Sequence, residues 1–208
     1  MQFFMNEKLI SQINHASTPE TVIAAITAIT VSEIPELEVI NALIAVLSHH
    51  HPTVRAAAVQ VLVKLGNSTV KPLIIAYKAS CDQGLQAHII QALAQIGSPD
   101  SLDVLAEVVG TTVANHCQGN VRRIAARGLG KIALNSPDAE VIGIVQEKLI
   151  WALLNPEDWG LRYAAAVSLQ AIITSETQVA LQTAIAGETD NVVRSRIVLA
   201  LESGKAHK

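Results

Sequence analysis

Aromatic side chains are nearly missing from this chain: Phe3, Phe4, Tyr77, Trp151, Trp159 and Tyr163 are the six among 208 residues. Sandwiches and barrels draw on aromatic and β-branched cross-strand pairs, so this scarcity argues against an all-β architecture. Cysteine is rarer still. Cys81 and Cys117 are the two present, too few for a disulfide framework, and a reducing compartment is expected. Basic residues do not dominate either: 15 Lys and Arg face 18 Asp and Glu, for a formal charge of −3. Tight binding to phosphate backbones needs a concentrated basic surface, so the simplest nucleic-acid reading falls away. No run approaches ~18 uninterrupted apolar residues, the length a membrane span requires. The start, Met1 to Lys8, lacks the basic-then-apolar order of a signal peptide. A soluble, cytoplasmic protein is the expectation.

What the chain has in quantity is Ala, Leu, Ile and Val, within a hydrophobic share of 50%. That much aliphatic content excludes disorder and suits closely packed helices. It is also periodic. Five segments share a template: an apolar residue, usually followed by Arg, with a Leu eight positions on and Ile or Leu at eleven. They start at Val54, Leu85, Val121, Leu161 and Val193, at spacings of 31, 36, 40 and 32 residues. The eighth positions are Leu62, Leu93, Leu129, Leu169 and Leu201. The eleventh are Leu65, Ile96, Ile132 and Ile172, and the last copy breaks the rule with Gly204. A degenerate copy starts near Val22.

Within a copy the apolar positions fall at helical spacing, as Val121, Ile124, Ala125, Leu129 and Ile132 do. Alanines at 56–58, 125–126 and 164–166 let neighbouring helices approach closely. Asn120 and Asn191 stand where N-caps belong, and Gly66 and Gly97 where helices should end. Partner helices are expected over 70–78, 100–109, 139–154 and 178–186. A repeat of this length is that of a helical solenoid. The fold class read from it is all-α: a helical-repeat superhelix of five to six helix pairs, one domain over 1–208 with repeats over about 19–204. The pattern resembles HEAT repeats. The longer spacings place insertions before Val121 and around 135–138 and 155–160, and solenoid loops are where function tends to sit.

Four clusters carry chemistry. His116 and Cys117 stand beside Gly119 and Asn120, whose types predict irregular backbone there; only such backbone lets adjacent residues cooperate. A helix start, an imidazolium or Arg122 and Arg123 would each favour a Cys117 thiolate. A free surface thiol beside a loop histidine is the alternative. Second, Arg recurs after the apolar start residue at Arg55, Arg122, Arg162 and Arg194, which points to capping or pairing between repeats. Arg123 and Arg127 lie outside that recurrence, four apart on one helix face; they suit a dicarboxylate or phosphate, or form a solvated pair. Third, Trp159 and Tyr163 with Arg162, and Trp151 one helix earlier, make either a platform for a flat anionic ligand or packing between repeats. Fourth, His49, His50 and His51 precede Pro52 as a polar turn, with no further ligands spaced for a metal. His88 takes a structural position, and Cys81 is expected to be a partly buried thiol near a helix end.

Two runs carry a resemblance beyond the repeat. Residues 119–130, Gly-Asn-Val-Arg-Arg-Ile-Ala-Ala-Arg-Gly-Leu-Gly, resemble a signature of the E/F class of phycobilin lyases. Residues 158–165, Asp-Trp-Gly-Leu-Arg-Tyr-Ala-Ala, are similar to a second signature found in its F-type subunits. The six residues from Asn115 to Asn120 resemble the motif of the lyase-isomerase branch. The family implies an obligate heterodimer with an E-type subunit. That pair attaches a linear tetrapyrrole, phycocyanobilin, to a cysteine of an antenna α subunit, phycoerythrocyanin, and isomerises it to phycoviolobilin for the phycobilisome. The bilin is a substrate, and no permanently bound cofactor or metal is implied. His116 and Cys117 are then the isomerisation pair. Arg122, Arg123, Arg127, Trp159, Arg162 and Tyr163 are candidates to hold the bilin. Leu9, Ile10, Ile13 and Ile197, in terminal repeats, are candidate E-contact surface. The His-Glu dyads of the HEAT-repeat hydroxylases are absent. A plain phycocyanobilin lyase subunit and a non-catalytic bilin-binding scaffold are the alternative readings; a HEAT-type glycosylase fits the acidic charge poorly.

Overall fold

Each Leu at the eighth template position from Leu62 to Leu169 is almost wholly withdrawn from water, at no more than 1% exposure. The repeat is therefore the repeat of the core. These positions come from a computed structural model, which describes residues 10–11, 13, 18–29, 37–111, 116–155 and 158–205. Its described residues are helical, without strands. They fall into two compact units, Met1–Ile96 and Gly97–Lys208.

In the first unit the helices are α1 (Pro19–Thr27), α2 (Leu37–Val46), α3 (Pro52–Leu65), α4 (Val70–Ala79) and α5 (Gln83–Ile96). Thr18 and Thr21 close a reciprocal capping box at the start of α1, satisfying two backbone donors. Helix α3 packs on α1, α2 and α5, around Ile26, Leu43, Val54, Leu62, Ile89 and Leu93, all fully buried. Gly66 ends α3 at φ 66°, a conformation only glycine adopts cheaply. Arg55 accounts for the histidines: its Nη1 donates to the carbonyls of His49 and His50 at 2.7 and 2.9 Å. Its Nε donates to His88 Nε2 at 3.0 Å. Cys81, expected to be partly buried, is exposed, because it follows α4 in the irregular link before α5.

The second unit holds α6 (Leu102–Gly110), α7 (His116–Asn135), α8 (Ala139–Leu154), α9 (Trp159–Leu169), α10 (Ser175–Gly187) and α11 (Asn191–Lys205). Helix α9 lies in the middle of one face, packed on α7 and α11 to either side and on α8 behind. Small residues set the α7–α9 approach. A Cβ on Gly130 would stand 2.6 Å from Ser168 Cβ, and Ser168 Oγ donates to the Ala126 carbonyl at 3.0 Å.

Three expectations are corrected. Helix α7 starts at His116 rather than after Asn120, so the backbone of His116 and Cys117 is helical and part of the first insertion lengthens a helix. Asn191 is the first residue of α11, and Asp190 caps it, Oδ1 accepting from the Val192 and Val193 amides at 2.9 and 3.0 Å. Ile13 and Ile197 are buried, at 8% and 0% exposure, so they offer no partner surface; Ile10 is half-buried, and Leu9 lies outside the described residues. The exposed aliphatics of the last helix are Val192, Val198 and Leu199.

Candidate functional site

Asp158 organises the second insertion. As N-cap of α9 its Oδ1 accepts from the Gly160 amide at 2.9 Å, an aspartate's usual service to an unpaired helix donor. The same carboxylate receives Arg123 from α7, Nη2 to Oδ1 at 2.7 Å and Nε to Oδ2 at 3.3 Å. Burial alone would raise the Asp158 pKa, but the bonds from Arg123 and the Gly160 amide together hold it below its ordinary value. The Arg123 guanidinium also lies over the Trp159 ring, 5.5 Å from its centroid. Glycine at 160 is a requirement of this arrangement, since a Cβ there would overlap the guanidinium.

Beyond this knot opens a groove of ≈ 440 Å³ between α7 and α9, lined by Arg123, Ile124, Arg127, Trp159, Tyr163 and, from α11, Val192 among others. Arg127 is exposed and has no partner among the described residues. Trp159 leaves 47% of its surface open. A fixed cation, a free cation, two aromatic rings and aliphatic walls suit a flat, extended, anionic ligand.

Arg122, Arg162 and Arg194 are spent on the fold. Arg122 is buried, at 7% exposure, and its Nε donates to the Val109 carbonyl at 3.0 Å. Burial lowers its pKa, against a smaller opposing pull from Asp158. Arg162 grips Glu188 at two points, 2.7 and 2.8 Å, and that bond raises its pKa. Arg194 donates to the Ile185 carbonyl at 2.9 Å. Thus Arg55, Arg122 and Arg194 each satisfy carbonyls at or just past the end of the preceding helix, as capping cations do. Neither Arg122 nor Arg162 lines the groove. Trp151 lies on α8 outside it, 38% exposed, under Lys148 at 5.5 Å. His116 and Cys117 fall in the first turn of α7, seven and six residues before the groove's Arg123. Among the described residues no group of three or more His, Cys, Asp or Glu could hold a metal, and no described helix is long and apolar enough to cross a membrane.

In the sequence Asp158 and Gly160 stand only as members of the second insertion and of the 158–165 run; the 35-residue separation from Arg123 leaves no local trace of their pairing with it. Ile124 reads as an ordinary repeat position, and Val192 precedes the start of the last copy at Val193.

The HEAT-repeat family model matches residues 6–82, 70–139 and 112–202. The bilin biosynthesis protein PecF of Nostoc sp. (strain PCC 7120) is 66% identical over 79% of this chain and 95% of its own. That of Mastigocladus laminosus is 57% identical over 97% and 96%. Among solved structures, a chain of the complex of CpcE and CpcF of phycocyanin lyase from Nostoc sp. PCC7120 superposes with a TM-score of 0.69. It is 31% identical and covers 79% of this chain and 99% of that one. With the repeats and the relatives in agreement, the chain belongs to the HEAT-repeat family of bilin lyase subunits and bilin biosynthesis proteins.

Proposed function

We propose that this chain is the F-type subunit of a heterodimeric bilin lyase-isomerase, a carbon–sulfur lyase active with an E-type subunit. The pair attaches phycocyanobilin to a cysteine of the phycoerythrocyanin α subunit and isomerises it to phycoviolobilin. The work is done in the cyanobacterial cytoplasm, where phycobilisomes assemble. The observation that carries this reading is the groove between α7 and α9, which joins two aromatic rings to one fixed and one free guanidinium. Relatives of 57% and 66% identity are bilin biosynthesis proteins, and a structural relative belongs to a complex of CpcE and CpcF.

The groove residues bind and orient. Arg127 takes a propionate, Arg123 supplies a cation held in place by Asp158, and Trp159 and Tyr163 face the conjugated plane. Arg122 and Arg162, engaged elsewhere, are not assigned to the pigment. Attachment adds the acceptor thiol across a double bond at the pigment's edge. The sulfur–carbon bond forms, the thiol proton ends on the neighbouring carbon, and nothing is oxidised or reduced. Isomerisation is also redox-neutral. Cys117 adds as thiolate to a bridge carbon, His116 carries the proton from one carbon to another, and Cys117 leaves as the double bond settles in its new place. The first turn of a 20-residue helix favours a thiolate. The two roles are assigned to His116 and Cys117 individually, each acting on the pigment.

Co-expression with the E-type subunit, an apo α subunit and phycocyanobilin tests the reading through one absorption spectrum. A violobilin-type product supports it. A cyanobilin-type adduct makes the chain a plain lyase subunit, and no adduct makes it a scaffold.

A further inference from the structure

The groove continues past Val192. Tyr163 and Val192 also line an adjoining cavity of ≈ 440 Å³, completed on α11 by Asn191, Ser195, Arg196 and Leu199. Its apolar surface is open, Val192 and Leu199 being 55% and 51% exposed. At its polar edge stands Arg196, whose situation differs from that of the other arginines bonded in this unit. Arg123 and Arg162 have carboxylate partners, and Arg122 and Arg194 bond helix-end carbonyls. Arg196 has only a neutral side-chain amide: its Nη2 donates to Gln170 Oε1, and Gln170 in turn donates to Ser203 Oγ at 2.6 Å. Its Nε is buried without any acceptor. A desolvated donor left unpaired is costly, and so is a cation without a counter-charge. A carboxylate arriving through the cavity answers both, taking the Nε–Nη2 edge in a two-point grip while Gln170 turns aside.

We propose that Arg196 is a second carboxylate anchor of the site. An elongated conjugated dicarboxylate lies across α9, one acid on Arg127 of α7 and the other on Arg196 of α11, its plane over Tyr163; this rests on the bilin reading above. Packed helices stand roughly 8–10 Å apart, so α7 and α11, flanking α9, are separated by roughly 16–20 Å. Two long arginine side chains facing a shared strip bring that span within the reach of a linear tetrapyrrole with flexible acid arms. A small anion satisfies one arginine at a time.

The test titrates phycocyanobilin and its dimethyl ester into the complex of full-length chain and E-type partner, following pigment absorbance. Wild type is expected to prefer the diacid. Arg196→Gln is expected to lose roughly tenfold in diacid affinity, the worth of one charge-assisted bond, and nothing in ester affinity. Gln170→Ala keeps Arg196 and is expected to hold the diacid as wild type does. Equal diacid binding by wild type and Arg196→Gln overturns the proposal, as does an equal loss for diacid and ester. Loss of co-elution with the E-type partner in Arg196→Gln also overturns it, by making this face a protein contact. If Arg196→Gln does not fold, the neutral Arg196→Met substitutes, and an unchanged diacid preference there overturns the proposal. A wild-type complex that binds neither pigment sinks the bilin reading itself, a result distinct from all of these.

Discussion

Gly160 and Arg123 share one space: the guanidinium occupies the place a side chain at 160 would take. Gly160→Ala is therefore expected to push Arg123 off Asp158 and off the Trp159 ring. Because the guanidinium is the far end of a flexible, partly exposed side chain, the cost should be about 1 kcal/mol or less, that of the displaced ion pair. The substitution should also weaken bilin binding several-fold, and urea unfolding with pigment titration checks both. Unaltered affinity would show that the Arg123 position is immaterial to the ligand.

Asp158→Asn separates the cap from the charge. Asparagine caps as well as aspartate, so the loss, on the order of 1 kcal/mol, reports the partly exposed pair with Arg123. Its signature is the pH profile. Asp158 and Glu188 both have pKa values lowered in the fold, despite the opposing effect of burial. Below the ordinary carboxylate value of about 4, the unfolded chain binds more protons than the folded one. Stability therefore rises with pH through that window, is fully present above it, and is lost as pH falls through the folded values. Thermal melts between pH 3 and pH 6, on the order of the carboxylate range, should show a shallower acid limb in Asp158→Asn.

Gly130→Ala forces a methyl against Ser168, 2.6 Å from its Cβ and 3.1 Å from its Cα. Destabilisation of about 1–3 kcal/mol is expected. Ser168→Gly in the same chain should recover part of it, since the backbone contact stays. Denaturant midpoints of the two variants decide this.

Cys117→Ser, assayed with the E-type subunit, should leave attachment and abolish isomerisation, so the product absorbs as a cyanobilin adduct. His116→Ala should slow isomerisation by ~100-fold or more, the usual contribution of a positioned acid/base. Violobilin-type absorption from Cys117→Ser would remove the nucleophile role.

The apolar template made much of the fold readable. The eighth-position leucines from Leu62 to Leu169 are core while Leu201 of the last copy is half-buried, α8 runs over Ala139–Leu154 as its periodicity implies, and Gly66 and Gly97 take the positive φ values of 66° and 68° that end helices. Cap placement was less readable, because Asn120 and Asn191 are good caps in isolation but α7 begins four residues before the first, and Asp190 outcompetes the second. Half the groove was readable too. Arg123 with Arg127, and Trp159 with Tyr163, are each spaced four apart, and both pairs line one cavity. The rest depends on contacts between distant segments, Arg123 with Asp158 above all, and Arg196 with Gln170, 26 residues apart. Hydrophobic periodicity carries no information about which polar groups will meet.

The recurring arginine has a consequence for how such a chain can change. Because Arg55, Arg122 and Arg194 are committed to backbone carbonyls, their positions are closed to ligand recognition. Arg123, Arg127 and Arg196 sit at other offsets within their copies. A lineage of these chains can thus exchange the residues that meet a pigment while the stacking arginines stay fixed, and diversify its chromophore chemistry without renegotiating its architecture.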